Sequence, residues 1–201
     1  MATELKKFLD AKKTTTRLLG DVERYLMRRP LDDRRQDVLH PSEIIKPDWC
    51  HRYSYHLLTG GEANRTKPNL RLQNIFDEGH YIHAKWQSRF QAMNVLYGKF
   101  ECLACQVMTI GISPACKDCG RKDVMEYREV TLVDDNLRIA GHTDGWIKDI
   151  GDDCLIEIKS IGAGTLRFEA PDILADAGGD MTKAFNNIRR PFRSHLLQGQ
   201  M

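Results

Sequence analysis

The sequence predicts one α/β domain that is interrupted by a cysteine-rich insertion. Apolar residues recur at intervals of three and four between about positions 70 and 96, which predicts a long amphipathic helix. Three strand-like runs follow at 124–133, 137–147 and 154–161, separated by turn-like segments rich in aspartate. Between the helix and the strands, residues 100–122 hold two CxxC pairs and little else that could form a core.

Length and composition fit a single globular domain. A chain of 201 residues can bury most of its apolar area around one core. With 41% hydrophobic and 29% charged residues, the chain is not one that stays disordered throughout. A formal net charge of +2 does not by itself indicate a nucleic-acid partner, because that partner requires clustered positive charge. Three arginines do cluster near the end, at Arg189, Arg190 and Arg193. They predict either a phosphate contact or a solvated helix face.

The apolar runs and the cysteines predict the cellular compartment of the protein. No run approaches the length needed to cross a bilayer, and the N-terminus lacks the apolar centre of a secretion signal. We therefore expect a cytoplasmic protein. Four of the six cysteines fall in the two CxxC pairs, which in a reducing compartment indicates metal binding rather than disulfide bonding.

An N-terminal helix is predicted over residues 3–29, ending before Pro30. Its apolar stripe consists of Leu18, Leu19, Val22 and Leu26. We therefore expect a helical arm over residues 1–39 and a core domain over residues 40–201.

Shorter helices are expected on both sides of the strands. The pattern predicts two of them between residues 42 and 58. The stretch from Met181 onward is predicted to be helical in two pieces that are separated near Pro191. Together with the long helix, these segments would flank the sheet.

The two CxxC pairs predict a structural zinc site. The four thiols are separated by two, ten and two residues, at Cys102, Cys105, Cys116 and Cys119. Two tight turns of this kind offer the tetrahedral sulfur arrangement that structural Zn²⁺ prefers. Because protein would fill every position, this zinc should not catalyse. We predict a zinc ribbon over residues 99–123, whose role could be folding of the insertion, contact with DNA or binding of a protein partner.

The last predicted strand carries a carboxylate beside an ammonium. Strand alternation gives one face Cys154, Ile156 and Ile158, and the other face Leu155, Glu157 and Lys159. Phosphodiester hydrolysis needs a divalent cation and a cationic group that helps to position the attacking water. Glu157 can hold the first and Lys159 can be the second, although such a pair is also common on solvent-facing strands. We interpret Cys154 as packed on the core side.

A second carboxylate lies on the preceding strand. Asp144 stands in a stretch flanked by glycines, where a ligand or another backbone can approach closely. Two hard oxygen ligands from adjacent strands suit Mg²⁺ or Mn²⁺, which seldom need a full cage of protein ligands. The alternative is an ordinary turn aspartate. We interpret the nearby His142 as a partly exposed strand histidine.

These residues lie in an order that resembles a known family. A strand ending in GxxDG, a turn and an apolar strand carrying IEIKS resemble the core of the PD-(D/E)xK nucleases. Asp144 matches the first acidic position, and the pair Glu157 and Lys159 matches the second signature. On the predicted long helix, a GxxxH sequence ending at His83 resembles the motif of the RecB-like branch whose histidine binds metal.

Two further matches support the RecB-like branch, which includes the RecB and AddB nuclease domains and RecB-like CRISPR-associated exonucleases. A serine-led segment at Ser42, followed by Cys50 and Arg52, resembles the N-terminal motif of the branch. Gln198 resembles the first residue of its Gln-xxx-Tyr motif, where the glutamine helps to orient the active-site groups. The ordering of several weak motifs makes the resemblance specific.

The resemblance implies a restriction-endonuclease-like mixed central sheet flanked by helices. It implies a bacterial or phage DNA nuclease that uses Mg²⁺ or Mn²⁺ in replication, recombination or repair, with exonuclease action as the first expectation. The implied cation ligands are His83, Asp144, Glu157 and the Ile158 carbonyl, while Lys159 assists the water and Gln198 orients the site. Two alternatives stay open: a non-catalytic module that binds nucleic acid or protein through the zinc ribbon, and a site-specific endonuclease.

Two departures from the family add expectations. The tyrosine of the Gln-xxx-Tyr motif would fall just beyond Met201, so we expect the sequence to be a fragment of a longer protein. Iron-sulfur members use an early cysteine, matched by Cys50, with three more cysteines beyond that motif. We therefore predict no iron-sulfur cluster within these residues and interpret Cys50 as a buried core thiol.

Overall fold

A computed structural model describes residues 17–29, 35, 37–46, 48–61 and 67–200. The first part of the predicted arm helix, residues 3–16, lies outside them. The described helices are α1 (Arg17–Arg28), α2 (Pro41–Ile44), α3 (His51–Leu58), α4 (Leu70–Ala92), α5 (Ala163–Glu169), α6 (Pro171–Asp176), α7 (Met181–Asn187) and α8 (Arg193–Gln200). The strands are β1 (Leu96–Cys102), β2 (Met108–Ile112), β3 (Met125–Arg128), β4 (Val130–Asp134), β5 (Ile139–Thr143), β6 (Gly145–Ile147) and β7 (Cys154–Ile156).

The chain divides into two compact units. The first comprises Met1–Arg34 and Asn64–Glu78, and the second Arg35–Ala63 and Gly79–Met201. Within the first unit, the Lys67 ammonium donates to the carbonyls of Met27 and Arg29, at 2.8 and 3.0 Å. These carbonyls lie at the C-terminal end of α1, where the helix leaves acceptors without helical partners.

The second unit contains an antiparallel sheet of five strands and a separate two-stranded one. In the large sheet the order is β2-β1-β6-β7, and β3 also pairs with β1; β4 and β5 form the small sheet. Every pairing between these strands is antiparallel, so the prediction of a mixed sheet was wrong. For β1 with β2 and for β6 with β7 the reason is the short connections at 103–107 and 148–153, because parallel pairing needs a crossover of a dozen residues or more.

Two of the three predicted strands each divide between the two sheets. The run 124–133 becomes β3 and β4, and the run 137–147 becomes β5 and β6. One acidic residue lies at each of these two breaks, between the strands: Glu129 at the first and Asp144 at the second. The chain thus crosses twice between the two sheets, and each crossing segment carries a carboxylate to the same region.

The cysteine-rich segment is part of the core. β1 turns Leu96, Phe100 and Cys102 inward, each with none of its surface exposed, and Cys116 joins them at 2%. Within the segment 99–123, which was predicted to be an inserted zinc ribbon, β2 and the end of β1 belong to the large sheet. The CxxC spacing indicated metal ligands alone, whereas a cysteine is also a small apolar core residue.

A second apolar cluster forms among the C-terminal helices. Its buried residues are Leu166, Ala170, Ala184 and Phe192. Helix α7 is capped by Asp180, whose carboxylate accepts from the backbone N–H groups of Thr182 and Lys183. As the sequence predicted, two helical pieces separate near Pro191, and the second of them, α8, carries Gln198. Among the described helices, none is long and apolar enough to cross a membrane.

Candidate metal centres

Four thiols converge on one point. One ligand atom from each lies within 4.8 Å of the others: Cys102, Cys105, Cys116 and Cys119. The two CxxC turns share one geometry, because the N–H of Gln106 donates to the Cys102 carbonyl at 2.7 Å and that of Gly120 to the Cys116 carbonyl at 2.9 Å. Gln106 and Gly120 have φ of 58° and 71°, the left-handed conformation that glycine adopts without strain.

The protonation chemistry of this cluster fits a bound cation. Backbone N–H groups of Cys119 and Asp118 lower the pKa of Cys116 to about 7. Hydrogen bonding to the thiols of Cys119 and Cys102 raises the pKa of Cys105 to about 12. A divalent cation would replace the protons and hold the sulfur atoms as thiolates. The four cysteines are close enough to hold a metal ion, and a set of four sulfur ligands matches structural Zn²⁺.

A second cluster joins a helix to the two strand breaks. One ligand atom each from His83, Glu129 and Asp144 lies within 4.8 Å of the others. His83 comes from α4, and its Nδ1 lies 3.1 Å from Asp144 Oδ1 and 3.8 Å from Glu129 Oε1. The structure thus brings together two residues that the motifs assigned as metal ligands and adds a carboxylate that sequence reasoning missed.

Gln87 holds the two carboxylate segments against α4. It lies four residues after His83, which places both side chains on one helix face. The buried Gln87 amide donates to Glu129 Oε1 at 3.1 Å and to the backbone carbonyl of Asp144 at 2.9 Å. One side chain therefore fixes the position of both strand breaks relative to the helix.

The Asp144 carboxylate is buried, and each of its two oxygens makes one contact. Its Oδ1 faces His83, while its Oδ2 accepts from the backbone N–H of Ile158 at 2.5 Å. Ile158 thus contacts this carboxylate through its N–H. In the pairing of β6 with β7, Gly145 lies opposite Ile156. Extending that register by one residue places Asp144 opposite Glu157.

Glu157 belongs to a neighbouring group. Its Oε1 lies 2.5 Å from the Lys159 ammonium and accepts from the Gln198 amide at 2.7 Å. The group of three close ligand atoms contains Glu129 and not Glu157. Glu157, Lys159 and Gln198 were all predicted as site residues, and Glu157 contacts both of the others.

The charges in the second cluster are mutually dependent. Hydrogen bonding to Asp144 and then to Glu129 raises the pKa of His83 to about 10. The hydrogen bond from His83, followed by that from Gln87, lowers the pKa of Glu129. Two carboxylates therefore surround an imidazolium. One nitrogen and two oxygen ligands also suit a hard divalent cation, which would take the place of the imidazolium proton.

The comparisons with known proteins are negative. No protein-family model, no curated protein and no solved structure matches the chain. Support for a function therefore comes from the contacts within the two clusters and from the motif resemblance.

The sequence signal for Glu129 was weak. Met125 and Tyr127 are buried and alternate along β3, and Glu129 continues the same alternation two residues later, but its side chain is exposed. An exposed carboxylate at the end of a strand is common and needs no partner to compensate its charge. Strand alternation alone therefore does not identify Glu129 as a candidate ligand.

The remaining predicted residues lie outside the two clusters. Arg189, Arg190 and Arg193 are exposed at and just before the start of α8. The interpretation of Cys50 and Cys154 as packed thiols was wrong, since both are exposed. Cys50 precedes the first turn of α3, and Cys154 begins β7, which pairs with β6 alone. His142 is exposed, as interpreted from the sequence.

Proposed function

We propose that this protein is a divalent-metal-dependent DNA nuclease of the PD-(D/E)xK type, RecB-like branch. The observation that carries the proposal is the 3.1 Å approach of His83 to Asp144. These residues are 61 positions apart in sequence, and the resemblance assigned both as metal ligands. Neither helix periodicity nor strand alternation requires them to meet, so their contact supports the motif assignment independently.

The roles follow from the contacts of each side chain. His83, Glu129 and Asp144 would hold Mg²⁺ or Mn²⁺, with Glu157 as a further carboxylate across from Asp144. When bound, such a cation supplies positive charge for a phosphate oxygen and acidifies a coordinated water. Lys159 presents an ammonium that can hold a water or a phosphate oxygen.

Gln198 acts on this site through Glu157. Its amide donates to the same Glu157 oxygen that faces Lys159, and so restrains the carboxylate from the side of α8. The exposed arginines at 189, 190 and 193 lie at and before the start of the same helix. We propose that they contact the phosphates of the DNA, a role that positions the strand without reading its sequence.

The zinc site has a structural role in this proposal. Two of its thiols, Cys102 and Cys116, are buried in the same cluster as Phe100 and Met125. A cation bound there would be part of the core of the large sheet, and four protein ligands leave no position for a reacting water. Folding of the sheet is therefore the role that the contacts favour over DNA or partner binding.

One observation favours a non-catalytic alternative. The His83 imidazolium already neutralises much of the charge of Glu129 and Asp144, as its pKa of about 10 indicates. In this alternative the three residues only join α4 to the strand breaks, and the protein binds nucleic acid or another protein without cleaving it.

A cleavage assay separates the two functions. Labelled linear DNA is incubated with the protein in Mg²⁺ or Mn²⁺, and the rates are compared with those of Glu157→Gln and Lys159→Ala. We expect each substitution to lower kcat/KM by about 100-fold or more, as losing a group that stabilises developing charge commonly does. Glu126→Gln and Lys122→Ala, which change exposed residues of the same unit, should cleave normally.

Cleavage that is indifferent to both site substitutions would contradict the proposal, provided that the variants retain their metal content. A circular substrate, tested in parallel, distinguishes exonuclease from endonuclease action, because an exonuclease needs a free end. Single-stranded and double-stranded substrates then define the preferred form of DNA.

A further inference from the structure

Tyr127 carries a buried hydroxyl without a hydrogen-bond partner. Its side chain is 9% exposed, and among the described residues none accepts from or donates to its oxygen. Buried hydroxyl groups are bonded in the large majority of cases, because an unbonded one keeps the full penalty of leaving water. An orphaned hydroxyl in a well-packed strand therefore points to a partner that is not a protein atom.

The surroundings of the Tyr127 ring fix where the hydroxyl lies. The ring meets Phe100 edge-on, with centroids 5.4 Å apart. It covers Gly98, where an added Cβ would come within 2.7 Å of a ring carbon and 3.4 Å of the hydroxyl oxygen. Glycine at this position makes room for the ring. In the pairing of β1 with β3, extending the register by one residue places Gly98 opposite Glu129.

The same region holds the carboxylates of the second cluster. Tyr127 and Glu129 are two residues apart on one face of their segment. A tyrosine hydroxyl can both donate and accept a hydrogen bond, and the register of β1 with β3 places this one beside the position of Glu129.

We propose that the Tyr127 hydroxyl is the hydrogen-bond partner of a water coordinated by the cation at His83, Glu129 and Asp144. This inference rests on the proposed function, since it needs that cation. Mg²⁺ and Mn²⁺ keep several water ligands when few protein groups bind them, and those waters need partners around the site. Tyr127 is thus a positioning residue that acts on the cation through its water shell.

The chain offers a matched control for the test. Thr109 is the other residue of the described part of the chain whose buried side-chain oxygen lacks a partner. It lies on β2, where it pairs with Phe100 of β1. β2 and β3 flank β1 on opposite sides, so Thr109 and Tyr127 lie on different neighbours of β1. Tyr127→Phe and Thr109→Val each remove one orphaned hydroxyl and nearly preserve shape, but only the first removes it beside the carboxylates.

The experiment measures Mn²⁺ affinity by electron paramagnetic resonance, and thermal unfolding without added Mn²⁺, on the full zinc-containing chain. We expect Tyr127→Phe to raise the Kd for Mn²⁺ by about 3- to 10-fold, the effect of one lost hydrogen bond. Its Tm without Mn²⁺ should not fall, because no protein bond is lost. Thr109→Val should leave the Kd unchanged.

Two results would overturn the inference alone: wild-type Mn²⁺ binding that Tyr127→Phe leaves unchanged, or a Tm that falls in this variant without Mn²⁺. The second result would mean that the hydroxyl has a protein partner. If the wild-type chain binds no Mn²⁺ at all, the proposed cation site fails and this inference fails with it. The failures of the two proposals are therefore distinguishable.

Discussion

We expect removal of the proposed zinc to unfold the five-stranded sheet. Cys102 and Cys116 lie in one buried cluster with Leu96 and Phe100, so the two CxxC turns that would bind the metal are part of the core. Zinc binding contributes about 10–16 kcal/mol to small zinc-dependent domains, while a whole domain is stable by only about 5–15 kcal/mol. Losing the metal would therefore remove most or all of the stability of the second unit.

Elemental analysis and circular dichroism during titration with a strong zinc chelator measure this effect. We expect one zinc per chain and a loss of strand signal as it is removed. Cys102→Ser should lose the zinc and the fold together. Cys154→Ser is the matched control, since this exposed thiol lies outside the cluster, and it should keep both. A Cys102→Ser chain that unfolds at the wild-type temperature would show that the core does not depend on the metal.

We expect Asp144→Asn to abolish most of the proposed nuclease activity without unfolding the protein. The substitution removes the negative charge that faces His83 but leaves an oxygen that can still accept from the Ile158 N–H. A cation loses one of its hard ligands, and removing such electrostatic stabilisation lowers catalytic rates by about 100- to 1,000-fold. The backbone contact of Asp144 with Gln87 does not change, so the strand break stays attached to α4.

Initial cleavage rates on labelled linear DNA, in Mg²⁺ and in Mn²⁺, test this prediction. Asp152→Asn is the control, because it removes an exposed carboxylate from the connection between β6 and β7. It should cleave at the wild-type rate. Cleavage by Asp144→Asn within a few-fold of wild type would exclude the carboxylate from the chemistry. A circular dichroism spectrum that matches wild type ensures that lost activity is not lost folding.

The sequence predicted those parts of the fold that depend on local periodicity. The long helix was evident from apolar residues at intervals of three and four, and α4 spans Leu70–Ala92. The sequence did not show that two predicted strands are each divided between two sheets. The alternation of Met125, Tyr127 and Glu129 continues through the break after Arg128, so the pattern gives no sign of the break. Which sheet a strand joins depends on distant partners, which local alternation does not report.

The candidate site shows the same contrast. His83 and Asp144 could be paired from motif order alone, and the structure brings them to 3.1 Å. Glu129 matches no motif, so its contribution required knowledge of where β3 ends relative to α4. The central strand β1 was missed for a different reason, because its inward positions end in Cys102, a residue that serves both the core and the proposed zinc site.

Mn²⁺ binding by Glu129→Gln tests the central claim most directly, since Glu129 is the ligand that no motif suggested. We predict that the wild-type chain binds a single Mn²⁺ in addition to the proposed zinc. Glu129→Gln should weaken that binding by about 10-fold or more, because a hard cation loses a charged oxygen ligand. Glu126→Gln, on the neighbouring exposed face, should bind as wild type does. Equal Mn²⁺ affinity in the wild type and Glu129→Gln, or no Mn²⁺ binding by either, would contradict a cation site at His83, Glu129 and Asp144.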